Sequence, residues 1–289
     1  MFAPLSSELH QPNDWYGHAS NLKIFLGLPR DYKFKFIIEH GLYLNEQVDT
    51  IDIDTNLPSI ITYSDYRKEI LKSYRKHVFS IGPFIHYAKS FLSDKQISEE
   101  KKRLGKSILL FPAHSSSMIG IEYDIKNLCK KIKDIGKGFD SIRVCLYWKD
   151  VLLGKNKVYQ DFGFECVTAG HMLDPLFLPR LKSIIQISDL TISNIASSQV
   201  GFCVYLNKPH IIISNHLKLN TSKKWQDRIN EIFESRGYTE IMDEFSKLNF
   251  KITTRQKKLI EKYWGTNCIK TKPELLKILK KTEGVYQTD

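Results

Sequence analysis

Between Ser107 and Ser214 short apolar runs alternate with helix-like segments, and the apolar runs end in small or polar residues. Ser107–Pro112 (SILLFP) is almost wholly apolar, as a strand buried on both faces must be. A polar loop, Ala113–Ser117, leads to a helical pattern over Tyr123–Gly136 with Ile125, Leu128, Ile132 and Ile135 on one face. Strand Ser141–Tyr147 (SIRVCLY) ends at Trp148-Lys149-Asp150, read as a loop, and the short strand Phe164–Thr168 ends at Ala169-Gly170-His171. Helix Leu176–Ser188, strand Leu190–Ser193, helix Ala196–Leu206 and strand His210–Ser214 complete the alternation. Strand and helix in turn mean an α/β fold with a parallel sheet. Ligands of such sheets bind outside the carboxyl ends of the strands.

The first third carries three further strand-like runs, Lys33–Glu39 (KFKFIIE), Ser59–Tyr63 (SIITY) and His77–Ile81 (HVFSI). A helical pattern, Asp65–Lys76, lies between the last two, with Ser64 or Asp65 as its N-cap. Ser93–Lys106 is charged without an apolar face and reads as an exposed helix or linker. The expected organisation is a small α/β domain over 1–92, a linker over 93–106, a Rossmann-like domain over 107–221 and helices over 222–289. Those helices, Ser222–Arg236, Thr239–Leu248, Thr253–Trp264 and Lys272–Lys281, are expected to pack on the sheet or cross back to the first domain.

At 289 residues and 42% hydrophobic content, the chain can bury two cores. No apolar run approaches the length of about eighteen residues that a membrane span needs. Met1–Asp14 lacks a basic stretch followed by an apolar one, so no signal peptide is expected. Five cysteines at irregular spacing, without a C-x-x-C pair, suggest neither zinc site nor disulfide framework. A reducing, cytoplasmic compartment fits. The net charge of +11 suits nucleic acid, anionic lipid headgroups or a phosphorylated substrate. Solvated helix faces are the plain reading of the lysine-rich stretches; the sharper one is a peripheral contact with the inner face of an anionic membrane. A nucleic-acid partner is not expected, because the lysines alternate with acids rather than with aromatics on one face.

Four polar clusters fall where chemistry could occur, the fourth being Trp148-Lys149-Asp150 together with Ala169-Gly170-His171, which follow strands on the same edge. In the first, Ser193-Asn194-Ile195-Ala196-Ser197-Ser198 ends a strand and opens a helix, offering hydroxyls and backbone N–H groups to an anion. The alternative is an ordinary serine N-cap. In the second, Glu39-His40-Gly41, a histidine at a strand's carboxyl end faces a cleft and suits removal of a hydroxyl proton. The alternative is a structural histidine beside a turn glycine. In the third, His114, Ser115, Ser116 and Ser117 could bind a phosphate or a sugar carboxylate. P-loop, dinucleotide, nucleophile-elbow and zincin signatures are missing. Asp52-Ile53-Asp54 resembles a metal-chelating string but lies in an irregular segment, and is expected at the surface.

The stretch from Ser188-Asp189-Leu190-Thr191-Ile192-Ser193 through Ser197-Ser198 to Leu206-Asn207-Lys208-Pro209-His210 looks like the donor-domain signature of GT-B glycosyltransferases. It resembles most the CDP-glycerol glycerophosphotransferases of teichoic-acid synthesis, capsule polysaccharide transferases and the UDP-GlcNAc 2-epimerase group. The resemblance implies a GT-B-like fold of two Rossmann-like domains, the N-terminal one small and on the acceptor side. It implies nucleotide phosphates at Ser197 and Ser198, helped by Ser193 and Asn194, with the 114–117 loop beneath them. It further implies Lys149 at the pyrophosphate, base recognition around Gly170 and His171, and His40 as base with Glu39 as alternative base or orienter. Gly201 and Phe202 stand where these families carry an acidic residue early in the helix.

The expectation is a metal-independent glycosyltransferase or glycerophosphate-type transferase of bacterial surface polysaccharide (capsule or lipopolysaccharide) assembly. It would need no cofactor, take a nucleotide-activated donor (a pyrimidine nucleotide favoured), and act on a saccharide or lipid-linked acceptor. The alternatives are a sugar-nucleotide epimerase or hydrolase on the same scaffold, or a basic nucleic-acid-binding protein.

Overall fold

The computed structural model describes residues 8–116 and 118–288; residues 1–7, within the stretch read as lacking a signal peptide, and Ser117 of the polar loop lie outside them. The strands are β1 (Ile37–Ile38), β2 (Ser59–Thr62), β3 (His77–Ser80), β4 (Ser107–Phe111), β5 (Gly120–Glu122), β6 (Ser141–Cys145), β7 (Glu165–Val167), β8 (Leu190–Ser193), β9 (His210–Ile212) and β10 (Lys218–Asn220). The helices are α1 (His18–Leu26), α2 (Thr50–Ile53), α3 (Asp65–Leu71), α4 (Asp94–Leu104), α5 (Ile125–Ile135), α6 (Trp148–Leu152) and α7 (Asn156–Asp161). They continue as α8 (Phe177–Ile187), α9 (Ser198–Tyr205), α10 (Lys223–Glu234), α11 (Arg236–Phe245), α12 (Thr254–Trp264) and α13 (Lys272–Thr288).

The chain forms two compact units and passes between them after Lys89, Gly170, Pro179 and Lys257. The first unit therefore takes the chain up to Lys89, His171–Pro179 and everything from Lys258 onward. The segment read as an exposed helix or linker is a helix of the second unit, not a linker between the two. Its start is fixed by a capping box, in which Ser93 and Gln96 satisfy each other's backbone N–H groups.

In the first unit β1, β2 and β3 form a parallel sheet in that order. Ser64 provides the N-cap of α3, its Oγ accepting from the Arg67 amide at 3.3 Å. Only Ile37 and Ile38 of the expected strand Lys33–Glu39 pair with β2. The free edge is finished by side chains instead. The Asn13 amide donates to the Phe36 carbonyl (2.8 Å) and accepts from the Ile38 amide (2.7 Å), and Glu8 accepts from the Phe34 amide (3.0 Å). A carboxamide presenting both donor and acceptor thus does the work of another strand. Helix α13 packs on α1 and β2, burying Leu275 and Leu279. Gly265 (φ +67°) ends α12 where the chain passes so close to the Tyr63 carbonyl that a Cβ would collide with it.

In the second unit the sheet runs β7-β6-β4-β8-β9, parallel throughout. From β4 the chain winds outward through α5 to β6 and β7, then returns to place β8 on the other side of β4. This is the doubly wound order with a switch point between β4 and β8. All five residues of β4 are buried, which explains its uninterrupted apolar sequence. Helix α5, capped by Asp124 (2.9 Å to the Asn127 amide), buries Leu128, Cys129 and Ile132 with Ile108, Leu110, Val144, Tyr159 and Ile192. Each fully buried aliphatic side chain contributes about 1.5–3 kcal/mol.

Several expectations change. Trp148-Lys149-Asp150 is the first turn of α6 rather than a loop, and α7 was not expected. The antiparallel ribbon of β5 and β10 was likewise unforeseen, being short and mostly half-exposed. The helix read over Ser222–Arg236 stops at Ser235, whose Oγ caps α11 by accepting from the Tyr238 amide (3.3 Å).

Candidate functional site

At the switch point of the second unit, Phe111 of β4 lies in register with Ser193 of β8, so the loops that follow them emerge side by side. They are joined by a hydrogen bond of 2.6 Å from the Ala113 amide to Asn194 Oδ1. Asn194 is 2% exposed, and its Nδ2 has no partner among the described residues. A buried amide donor left open costs free energy unless something accepts from it. Ser193 is committed otherwise. Its Oγ donates to the Ile195 carbonyl (2.8 Å) and contacts His210 Nε2 (2.9 Å), while Thr191 Oγ1 contacts His210 Nδ1 (2.8 Å). Burial pushes His210 down to about 3, so the ring is neutral and acts as a clamp between β8 and β9.

Helix α9 opens at Ser197 without the ordinary cap: the Ser197 side chain makes no bond to the first-turn amides and instead meets Gln199 Oε1. Ser197 and Ser198 are half-buried. Gly201 and Phe202, the positions without the acidic residue, are buried within α9.

In the loop after β4, His114 is exposed, its ring 4.5 Å from that of Tyr147. Ser115 and Ser116 hold the loop together. The Ser115 amide donates to the Asp150 carboxylate (3.2 and 3.3 Å), and Ser115 Oγ accepts from the Ile121 amide (3.1 Å) and from Lys155 Nζ (3.2 Å). Ser116 Oγ accepts from the Met118 and Ile119 amides at 3.2 and 3.1 Å. Lys149 is half-buried on α6, 5.9 Å from the Trp148 ring. Lys155, which sequence reasoning passed over, forms an ion pair of 2.7 Å with buried Asp150. Nothing in the sequence marks that pair. Gly170 adopts φ +101° after β7, its amide donating to Thr168 Oγ1 (3.1 Å). His171 falls in the first unit, exposed, with Nδ1 accepting from the Leu173 amide (3.1 Å).

In the first unit, Glu39 and His40 follow β1 but face different partners. Glu39 is fully buried against Arg67, its Oε1 2.5 Å from Nη2 and 3.0 Å from Nε, and it accepts a bond from Thr62 Oγ1. Arg67 also donates to the carbonyls of Asn45 (2.7 Å) and Gln47 (2.9 Å). These bonds pin the segment after His40. They turn Glu39 toward Arg67 and Thr62.

His40 stands beside two aspartates. Its Nδ1 lies 3.4 Å from Asp52 Oδ2, while Nε2 lies 4.0 Å from Asp49 Oδ2. The other Asp52 oxygen is 3.5 Å from His10 Nε2. The Trp15 ring meets the imidazole edge-on at 4.7 Å, placed by a kinked turn in which Tyr16 takes φ +56°. A non-glycine residue in that region is strained and is held by its surroundings. The expectation that Asp52 lies at the surface is wrong: Asp52 is 2% exposed. Asp49 caps the single turn α2, accepting from the Ile51 amide (3.4 Å), and that turn sends Asp52 inward while Ile51 stays exposed. Burial raises the Asp52 pKa, but His10 and His40 outweigh it and hold the carboxyl below the usual range. Nδ1 lies near Asp52 without a hydrogen bond between them; a neutral His40 carrying its proton there leaves Nε2 as a proton acceptor. His10, Trp15 and Asp52 were missed; only the aspartate string drew notice in the sequence.

Among the described residues no group of three or more His, Cys, Asp or Glu is placed to hold a metal ion, and no helix is long and apolar enough to cross a membrane.

No protein-family model and no curated protein matches the sequence. Among solved structures, the wall teichoic acid polymerase TagF is similar at 14% identity and a TM-score of 0.44, over 80% of this chain and 58% of that one. S. aureus MnaA, solved with UDP, shares 14% identity at a TM-score of 0.40, over 84% of this chain and 71% of that one. A UDP-GlcNAc 2-epimerase from Neisseria meningitidis bound to UDP-GlcNAc shares 11% at 0.35, over 84% and 87%. The chain thus spans less than two thirds of the length of the teichoic acid polymerase.

Proposed function

We propose that the chain is a GT-B-type glycosyltransferase, or a glycerophosphate-type transferase, using a nucleotide-activated donor in surface polysaccharide assembly. The observation that carries this reading is the switch point between β4 and β8. A buried Asn194 Nδ2, without a partner among the described residues, and the serine-rich start of α9 lie together there, where open α/β sheets take their ligands. In this reading the donor phosphates meet Ser197, Ser198 and the first-turn amides of α9, and the Asn194 Nδ2 donates to a donor oxygen. Fixed donors of this kind stabilise leaving-group charge without reorganising.

His40 is the proposed base. Asp52 stands beside its Nδ1, Nε2 removes the acceptor's hydroxyl proton, and Asp49 stands close to the imidazolium that results. No carboxylate occupies the Gly201–Phe202 positions, so the transferase reading is preferred to the epimerase one. The acceptor is proposed to be a saccharide or lipid-linked saccharide, met near the inner face of a membrane through the basic surface.

Calorimetry with CMP, CDP, UDP, GDP and ADP, with and without magnesium, tests the donor half. A ligand at one hundred times its dissociation constant should add about 2.7 kcal/mol of stability. Selective, magnesium-independent binding of one pyrimidine nucleotide, lost in Ser197→Ala/Ser198→Ala, supports the reading. A folded protein that binds none of them refutes it. Once a donor is known, His40→Ala should lower turnover by about 10²–10⁴-fold while nucleotide affinity stays unchanged. Turnover is expected to survive chelation of divalent metals.

A further inference from the structure

A buried arginine in the second unit has no ionic partner. Arg143, in the middle of β6, is 3% exposed. Its Nη2 donates to the Ile184 carbonyl (3.2 Å) and Ser188 Oγ (3.1 Å), but its Nε is buried without an acceptor. Among the described residues no carboxylate forms an ion pair with it. The obvious candidate is Glu165, its register partner on β7. That carboxylate is drawn outward by Arg103, which holds both oxygens at 3.1 Å while also pairing with Glu100 at 2.8 Å. A buried, unpaired guanidinium is costly, and burial accordingly depresses the Arg143 pKa.

Arg143 lines a cavity of about 570 Å³ between α4, α8 and the β6–β7 face of the sheet. This volume lies within the range of about 300–1,000 Å³ typical of small-molecule sites. Val167, Ile184 and Ile187 supply an apolar wall, and Gln96 and Glu99 contribute polar groups from α4. The cavity is on a face of the sheet, away from the switch point. Arg180 also lines the cavity, engaged with the Ala169 carbonyl (3.4 Å) and the Phe91 ring, and three lining carboxylates, Glu99, Glu100 and Glu165, outnumber the two guanidinium groups and disfavour a multiply charged anion. A single carboxylate with a donor group at the other end of the molecule satisfies both sides.

We propose that this cavity binds a small organic carboxylate bearing an amine or hydroxyl, its carboxylate on the Arg143 guanidinium and its donor group toward Gln96 and Glu99. The site is independent of the transferase reading. The test is a titration of the full chain with glycine, lactate and L-glutamate, following the Arg143 Nε–H resonance by ¹⁵N–¹H correlation. Glycinamide, lactamide and inorganic phosphate serve as controls. At least one carboxylate should bind saturably with a dissociation constant below about 1 mM, and its amide should not. Arg143→Met should abolish binding, as read by calorimetry. Arg103→Ala, a surface change that frees Glu165 to pair with Arg143, should weaken binding by about tenfold. Should Arg143→Met fail to fold, Arg103→Ala carries the test alone. No saturable shift, equal binding of phosphate or amide, or affinity untouched by Arg103→Ala would each overturn the proposal.

Discussion

The two units fix their loops by different means. At the carboxyl edge of the second, neutral groups do most of the holding: Ser115, Ser116, Ser193, Asn194 and an uncharged His210, with Asp150–Lys155 as the buried ion pair. Around the short sheet of the first, ionisable groups dominate: Glu39 with Arg67, Glu8 with Lys23, and Asp52 between His10 and His40. A five-stranded doubly wound sheet brings its loops together by topology, so hydroxyls and one amide suffice to finish them. Three strands, the first paired over two residues, leave the chain around them to be pinned by charge.

If that contrast is right, the largest single loss comes from the first unit. Arg67→Ala strands the Glu39 carboxylate and releases the Asn45 and Gln47 carbonyls, and should cost about 3–5 kcal/mol in denaturant unfolding. A loss within about 0.5 kcal/mol, the range of ordinary surface substitutions, would mean that charge does not hold this region.

Acid should weaken both units as well. Burial, with His40 close by, holds His18 down to about 3 in the first unit, and burial does the same to His210 in the second. The unfolded chain takes up these protons near the ordinary value of 6.5, whereas the folded chain does not until far lower pH. Stability should therefore fall as pH drops from about 6.5 toward 3, by about 1.4 kcal/mol per pH unit for each histidine. Asp52 adds a later loss: its depressed carboxyl stabilises the fold above the ordinary carboxyl value of 3.8, and that contribution disappears as pH falls through the lowered one. Urea unfolding at a series of pH values measures the slope. His18→Phe should remove the His18 share and leave those of His210 and Asp52.

Asn194→Leu sharpens the comparison at a smaller scale. It leaves the Ala113 amide without its acceptor, and should cost about 1–3 kcal/mol while also removing the open Nδ2 from the switch point. Stability unchanged in the absence of ligand would show that the two loops do not depend on this bond. Smallest are the caps. Ser64→Ala in the first unit and Ser93→Ala in the second should each lower stability by about 1 kcal/mol, measurable as a shift in thermal midpoint.

The alternation of the five sheet strands of the second unit with α5, α8 and α9 was readable from residue types alone, while α6, α7 and the ribbon of β5 and β10 were not. SILLF is apolar because β4 is buried on both sides, and the polar residues after β4 and β8 mark the edge where parallel strands end. Periodicity carries such information because a buried face imposes it on every residue of an element. Three-dimensional packing decided the rest. Ser193, Ser115 and Ser116 look like ligand-binding hydroxyls in sequence and are bonded to groups of the protein itself. Glu39 sits beside His40 in the chain, yet successive side chains of an extended segment point opposite ways, so one meets Arg67 and the other Asp52. Asp52 belongs to a string that reads as surface, but a single capped turn sends it inward to two histidines distant in sequence. Local sequence sets which residues can share a face of an element. Which charges meet depends on loop paths closed by long-range hydrogen bonds, and those exist only once the tertiary structure has formed.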